Sequence, residues 1–175
     1  MMRVSRRLFL AWWISGLIAF AIVIAMSAPL MVEGVPGGIT DHQAAPDGAR
    51  VDAIQTAWDK AGVLEWARWS MIADLVFIGI YGVGSVLGGL YFRSAGRRAL
   101  GAISLLAITA GTIFLITDYT ETIAQLVQLV SMRGDDALAS IASACRPLKV
   151  ASWVVTFVAI VAGLAFEAIS KRRSG

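Results

Sequence analysis

Four ionisable residues stand at the ends of long apolar stretches: Asp74, Asp118, Glu121 and Lys149. Asp118 and Glu121 have the i, i+3 spacing that puts two side chains on one face of a helix. Three carboxylates beside one ammonium can form ion pairs, and the excess carboxyl could keep its proton at neutral pH. A group of that kind suits a general acid or a proton-linked binding site. These residues are the candidate site if the elements that carry them bring them together.

Those elements are apolar and long. The chain has 175 residues, and 58% of them are hydrophobic, whereas soluble domains have about 45–50%. The apolar stretches are each near the ~20 residues that a helix needs to cross a bilayer. The predicted helices cover residues 8–32, 71–92, 99–121 and 149–169. We therefore predict an all-α, four-helix transmembrane bundle that forms a single integral membrane domain over residues 1–175, with loops at 33–70 and 122–148.

Basic residues are concentrated at one end of this bundle. Nine of the fifteen Lys and Arg residues precede the first helix, follow the fourth, or join the second to the third. Only one of the twelve Asp and Glu residues lies at this end, Glu167 near the end of the fourth helix. The positive-inside rule places this end in the cytoplasm with both termini. The net charge of +3 is then a signal of topology, and we expect no nucleic-acid partner.

The first apolar stretch could also be a secretory signal peptide, since Arg3, Arg6 and Arg7 precede it. It is longer than the ~7–15 apolar residues of such peptides. In addition, Pro29 directly follows the small residues Ser27 and Ala28. We expect a retained transmembrane helix.

The loop between the first two helices contains a helical pattern from Val51 onward. Val51, Ile54, Trp58 and Ala61 share one face of a helix. The other face carries Asp52, Gln55, Asp59 and Lys60. This pattern predicts a short amphipathic helix that lies on the outer membrane surface or caps the bundle.

The candidate residues should lie at one depth. Counted at ~1.5 Å per residue from the basic end, Asp74, Asp118 and Lys149 reach a similar level near the outer edge of the hydrocarbon. Tyr81 shares the helical face of Asp74, and each such face also carries small residues, which favours an inward orientation. We therefore expect the charges to meet one another.

Two interpretations of this cluster stay open. It could be an ion-pair lock between helices two, three and four, or it could carry acid/base chemistry. Arg146 could neutralise a second carboxylate. His42 could join the cluster if the long loop folds over the end of the bundle.

Small residues predict where helices pack closely. Gly84 and Gly88 form a GxxxG pair on the second helix, and such a pair allows close approach of another helix. That helix could belong to the same chain or to a second copy in a homodimer.

Other chemistries find little support. His42 is the only histidine and lies in a loop, so a His-rich metal site is excluded, and we expect no metal and no cofactor. An oxygen-ligated Ca²⁺ or Mg²⁺ at Asp74, Asp118 and Glu121 is the one metal site that the residue types would allow. Small proton-coupled multidrug exporters share the helix number, but they rely on an acid in the first helix, and here that helix has none.

The order of the polar residues resembles that of small bacterial four-helix inner-membrane proteins of unknown function. In those proteins an Asp opens the second helix, Asp-x-x-Glu closes the third, and a Lys starts the fourth, like Asp74, Asp118-Tyr119-Thr120-Glu121 and Lys149. The resemblance covers helices two to four. It implies the fold and the bacterial inner membrane, and it implies no activity.

Two functions follow from the sequence. The first is a non-catalytic integral membrane protein, such as an accessory subunit that binds a protein partner, in which the polar cluster is structural. The alternative is a membrane-embedded binding protein or enzyme for a lipid-like or isoprenoid molecule at the outer leaflet, with Asp118, Glu121 and Lys149 as its polar groups. The sequence does not decide whether the chain is an enzyme.

Overall fold

The computed structural model describes residues 4–95 and 98–173, and no strand occurs among them. The helices are α1 (Arg6–Ser27), followed by a 3-10 turn (Ala28–Leu30), then α2 (Ile39–Gln43), α3 (Gly48–Lys60), α4 (Leu64–Ser94), α5 (Arg98–Ser131) and α6 (Asp136–Arg173). Arg3 and Arg97, which contribute to the predicted topology, lie outside the described residues.

Four of these helices, α1, α4, α5 and α6, are long and apolar enough to span a membrane. This confirms the predicted all-α chain with four candidate membrane helices. Three helices are longer than predicted: α4 begins at Leu64, α5 continues to Ser131, and α6 begins at Asp136 with Pro147 inside it. The first is shorter, since α1 ends at Ser27 rather than at residue 32 and the 3-10 turn follows it. The extensions contain Gln, Glu and Ala, which favour helix even beyond the apolar stretches.

The long helices pack in the order α1, α4, α5, α6, with extensive contacts between successive members and few between α4 and α6. Aromatic rings bridge α1 and α6, with the centroids of Phe20 and Trp153 5.2 Å apart and those of Trp13 and Phe157 5.8 Å apart. A layer of five aromatic side chains thus fills the middle of the bundle. Its members are Phe20, Phe77, Tyr81, Phe114 and Trp153.

Glycines allow α1 and α4 to approach closely. A Cβ atom at Gly16 would lie 2.6 Å from Tyr81 Cα, and one at Gly84 would lie 2.8 Å from the Trp13 backbone nitrogen. Gly88 lies against the Phe9 ring. The GxxxG pair of α4 is therefore covered by α1 of the same chain, and a homodimer through it would have to displace α1.

The helices α2 and α3 form a cap over one end of the bundle, which we call the loop end. Trp58 Nε1 donates to the Leu30 carbonyl at 2.9 Å, and the Gly48 amide donates to Asp136 Oδ1 at 2.8 Å. A second apolar core lies beneath the cap, separate from the core of the bundle. It contains Leu30, Val35, Ala45, Val51, Ile54, Trp58, Ala67, Met71, Leu129 and Ala139.

The cap helix α3 differs from its predicted pattern at two positions. Gln55, expected on the polar face, is buried, and Ala61, expected on the apolar face, follows the last residue of α3 and is exposed. Gln55 is buried because α2 folds back and brings His42 against it. The helix α3 is therefore covered by α2 as well as by the bundle.

The close approach of α1 and α4 predicts a stability effect. Gly16→Ala should lower the free energy of unfolding by about 1–3 kcal/mol, because the added methyl group overlaps the backbone of Tyr81. Gly101→Ala is the matched control, since a Cβ atom at this helical glycine meets nothing within 4 Å. It should be neutral or stabilising by up to about 1 kcal/mol. Reversible unfolding in mixed micelles measures both, and equal effects of the two substitutions would contradict this packing.

Candidate functional site

One lysine joins two carboxylates near the loop end. Lys149 Nζ of α6 lies 2.9 Å from Asp118 Oδ1 and 2.8 Å from Glu121 Oε1, both on α5. The side chains of Asp118 and Glu121 are only 4% and 0% exposed, and that of Lys149 is 12% exposed. Because buried charges are costly unless they are paired, this arrangement fixes α5 against α6. The i, i+3 spacing of the two acids lets a single ammonium reach both.

Asp74 of α4 is held differently. Thr122 Oγ1 donates to Asp74 Oδ2 at 3.1 Å, and Asp74 forms no ion pair among the residues that the structure describes. Thr122 thus links the third carboxylate to α5, and no cation is in direct contact with this carboxylate among the described residues. The predicted cluster of Asp74, Asp118, Glu121 and Lys149 lies at one level, but only three of its members share an ion pair.

Two glutamines continue the buried polar face of α5. Gln128 is satisfied, because its Oε1 accepts from the Asp135 amide at 3.0 Å and its Nε2 donates to the Ala124 carbonyl at 3.2 Å. Gln125 is 1% exposed, and its Nε2 has no hydrogen-bond partner among the described residues. Buried polar side-chain atoms are usually hydrogen-bonded, so Gln125 indicates that a polar group can be accommodated beside it.

A cavity of about 520 Å³ lies between α1 and α6, above the aromatic layer. Phe20, Phe77, Phe114 and Trp153 of that layer form its floor. Its upper part is bounded by the 3-10 turn and by residues 37–43, which include α2. Three charged side chains line its wall. These are Asp74, Asp118 and Lys149. The volume falls within the ~300–1,000 Å³ typical of small-molecule sites.

This cavity opens sideways. Ile24 of α1, Met31 and Val150 of α6 line it, and they are 56%, 59% and 52% exposed. All three are apolar, and Ile24 and Val150 lie on the two helices that flank the opening. A molecule could therefore enter between α1 and α6 through an apolar mouth.

A smaller cavity of about 30 Å³ adjoins the first and also contacts Asp74. Unlike the larger cavity, it has a mainly polar side-chain lining. The polar residues are Ser27, Gln43, Ser70, Asp74 and Gln125. We call this space the polar chamber. It has room for one small polar group.

Two sequence-predicted site residues lie apart from the ion pair. Tyr81 is buried in the aromatic layer, where its ring packs against Phe114 and Trp153 and its hydroxyl lies 3.5 Å from the Trp153 carbonyl. Arg146 is half-buried and forms no ion pair among the described residues. Tyr81 therefore contributes packing, and Arg146 does not pair with the third carboxylate as the sequence suggested.

His42 lies in the core of the cap. It is 1% exposed, its ring stacks on Trp58 with centroids 5.3 Å apart, and its Nε2 is 3.5 Å from Gln55 Nε2. Burial lowers the pKa of His42 to about 4. The loop does fold over the bundle, but the structure shows no hydrogen bond or ion pair from His42 to the acidic cluster.

No group of three His, Cys, Asp or Glu side chains in residues 4–95 and 98–173 is placed to hold a metal ion, and Lys149 lies between the two acids of α5. Comparisons with protein-family models, with curated proteins and with solved structures found no match to this chain.

Several residues of the site were not identified from the sequence. Ser27 and Ser70 lie in or beside apolar helical stretches and belong to no motif, and the sequence gives no reason to single out Thr122. Phe20 and Trp153 are typical bundle residues by sequence. The proximity of all these residues to Asp74 depends on the order of the helices and on the fold of the cap. No local sequence pattern predicts that order or that fold.

The ion pair predicts a stability effect that depends on charge. Lys149→Met should lower the free energy of unfolding by about 3–5 kcal/mol, because two buried carboxylates lose their cation. Adding Asp118→Asn and Glu121→Gln should recover most of this loss, since no buried charge is then left unpaired. Lys60→Met, at an exposed lysine of α3, should change stability by less than about 0.5 kcal/mol. The three substitutions are also measured singly. If their separate changes in unfolding free energy add up to that of the combined variant, the three groups do not form a mutual lock.

Burial of His42 predicts a pH-dependent cap. The unfolded cap binds a proton near pH 6.5, whereas the folded cap resists it until about pH 4. The stabilisation is therefore complete above pH 6.5 and is lost as the pH falls toward 4. Between pH 7.5 and pH 5 the opening free energy of α2 and α3 should fall by about 2 kcal/mol. Hydrogen–deuterium exchange, corrected for intrinsic rates, measures it; His42→Gln should remove this part of the dependence, and an unchanged profile would contradict the assignment.

Proposed function

We propose that this chain is a multi-pass membrane protein that binds a lipid-like molecule in the cavity between α1 and α6. The carrying observation is the cavity of about 520 Å³, which has apolar walls, an aromatic floor, and Asp74, Asp118 and Lys149 along one side. An amphiphilic molecule matches this division, since its chain can contact the rings while its polar end meets the charged side.

The sideways mouth supports entry from the bilayer. Ile24, Met31 and Val150 would face acyl chains if α1 and α6 span the membrane, so an apolar ligand could exchange without crossing water. Trp66 and Trp69 at the start of α4 are 43% and 61% exposed, as expected for aromatic side chains at a membrane interface. The cavity would then lie near the level of that interface.

The charge distribution supports one orientation. Basic residues at the termini and at the α4–α5 turn favour a cytoplasmic location for that end, in a bacterial inner membrane by the resemblance noted above. The loop end and the cavity would then face the outer leaflet. This proposal takes up the second of the two functions that follow from the sequence.

Binding is favoured over catalysis by the state of the charged groups. Asp118 and Lys149, which the sequence offers as acid/base groups, are engaged with each other at 2.9 Å. Proton transfer to a ligand would require the ion pair to open and leave Glu121 or Asp118 buried without its cation. We therefore assign the ion pair a supporting role in shaping the site. An accessory role toward a protein partner stays a prediction of the sequence alone.

Native mass spectrometry after purification in a mild non-ionic detergent tests the proposal. The wild-type protein should retain a stoichiometric lipid-like molecule. Ile24→Trp should lose most of it, about tenfold or more, because the indole group occupies the mouth of the cavity. Ile22→Trp is the matched control: Ile22 lies on the same helix, is 53% exposed compared with 56% for Ile24, and does not line the cavity.

Retention should therefore be unchanged in Ile22→Trp. Equal retention by both variants, or a stoichiometric protein partner in place of a small molecule, would overturn the proposal. Circular dichroism and thermal unfolding of both variants distinguish a blocked cavity from a misfolded bundle.

A further inference from the structure

The polar chamber next to Asp74 has an unequal set of hydrogen-bonding groups. Ser27 Oγ donates its hydrogen to the Val23 carbonyl at 2.9 Å, and Ser70 Oγ donates its hydrogen to the Met26 carbonyl at 3.1 Å. A hydroxyl has one hydrogen, so each serine can then only accept further hydrogen bonds. The chamber therefore presents two acceptor oxygens that are already oriented by the end of α1.

Asp74 adds a third acceptor and a negative charge. Its Oδ2 accepts from Thr122 Oγ1, which leaves Oδ1 for another donor. Among the described residues no cation pairs with it. A buried carboxylate with no cation in contact is costly. A positively charged ligand group in the chamber would therefore stabilise the ionised form of Asp74.

Gln125 gives an independent indication that a ligand atom belongs here. Its Nε2 is buried without a partner, and its side chain lines the chamber. In the present rotamer this NH₂ group is a donor, which an ammonium cannot satisfy. A half-turn about the last side-chain bond exchanges it with the amide oxygen, and in that orientation Gln125 offers a further acceptor to the chamber. The unsatisfied group and the carboxylate lie on different helices and both border the same small space.

We propose that the polar end of the bound molecule is a primary ammonium group, held in the polar chamber by Asp74 with Ser27 and Ser70. This inference rests on the proposed binding of a lipid-like molecule in the larger cavity. An ammonium has three donors and no acceptor, which matches the three acceptors. The chamber of about 30 Å³ accommodates such a compact group, while the chain of the ligand extends over the aromatic floor.

The charges of the site select against anionic head groups. Lys149 is the cation that lines the larger cavity, and both Asp118 and Glu121 already contact it. A phosphate or carboxylate would have to compete with these two acids and would lie near Asp74. For ligands of equal chain length, we therefore expect the affinity to be highest for an amine, intermediate for an alcohol and lowest for a phosphate.

A competition experiment with the full-length protein tests this assignment. Decylamine, decanol and decyl phosphate are added together at equal concentration, and bound species are counted by native mass spectrometry from a non-ionic detergent. The wild-type protein should bind decylamine about tenfold or more over decyl phosphate, as expected for a charge-assisted hydrogen bond. Asp74→Asn should remove most of this preference while decanol binding changes by less than about twofold.

Two further variants make the result decisive. Asp59→Asn, at an exposed carboxylate of α3, should leave the preference unchanged. Ser27→Ala keeps the ion pair and Asp74 intact, and it should lower the preference for decylamine by a few fold because one acceptor is lost. Ser27→Ala thus tests the chamber even if Asp74→Asn does not fold.

The failures of the two proposals are distinguishable. If decyl phosphate or decanol binds as well as decylamine and Ile24→Trp still blocks binding, the ammonium assignment is wrong and the lipid-binding site stands. If no decyl probe binds, or if binding is insensitive to Ile24→Trp, the proposed function itself fails.

A last competition identifies the source of the ammonium. A lysophospholipid with an ethanolamine head group is added against decylamine. Preference for the lysophospholipid indicates a membrane aminolipid, whereas preference for decylamine indicates a free long-chain amine. Loss of the preferred species in Asp74→Asn supports an ammonium held in the chamber. Unchanged binding of that species in Asp74→Asn would contradict the assignment.

Discussion

The contact of Lys149 with Asp118 and Glu121 is the interaction on which the loop end depends. It places three buried charges within one ion-paired group, so the register of α6 against α5 is set by electrostatics as well as by packing. A shift by one residue would turn Lys149 away from both acids and leave them unpaired, at a cost of several kcal/mol. The same contact directs the ammonium to the two acids of α5, and Asp74 accepts a hydrogen bond from Thr122 instead.

The cavity follows from the order of the helices. Because α1 packs on α4 and α6 packs on α5, α1 and α6 meet only across a seam. Aromatic rings fill this seam in the middle of the bundle, where Phe20 contacts Trp153. Toward the loop end the residues of the seam are smaller, and they include Ser27 and Ala28. The seam therefore stays open at the level of the charged residues, and α2 covers it.

The cap explains how a polar site can persist at this end. Its own core, centred on Ile54 and Trp58, is as closely buried as that of a soluble domain. Hydrogen bonds from Trp58 to the Leu30 carbonyl and from Gly48 to Asp136 fasten it to the 3-10 turn and to the start of α6. A stable cap restricts water at the upper side of the cavity, which strengthens the interactions of the charges inside. In the proposed function, the ligand then enters through the apolar mouth between α1 and α6.

The sequence by itself determined the all-α class with four candidate membrane helices, and it drew attention to Asp74, Asp118, Glu121 and Lys149. It also offered Tyr81, Arg146 and His42, which the structure places apart from the ion pair. Long apolar runs can satisfy their backbone groups in lipid only as helices, and the spacing of Asp118 and Glu121 follows from the helical repeat, so both could be predicted locally. The tertiary structure alone decided that Lys149 joins the two acids of α5 while Asp74 lies apart, that His42 is buried in the cap, and that Ser27, Ser70 and Gln125 surround one chamber. These outcomes depend on helix order, on the fold of a long loop and on side chains from α1, α4 and α5 meeting in space, and no periodicity within a single helix encodes such meetings.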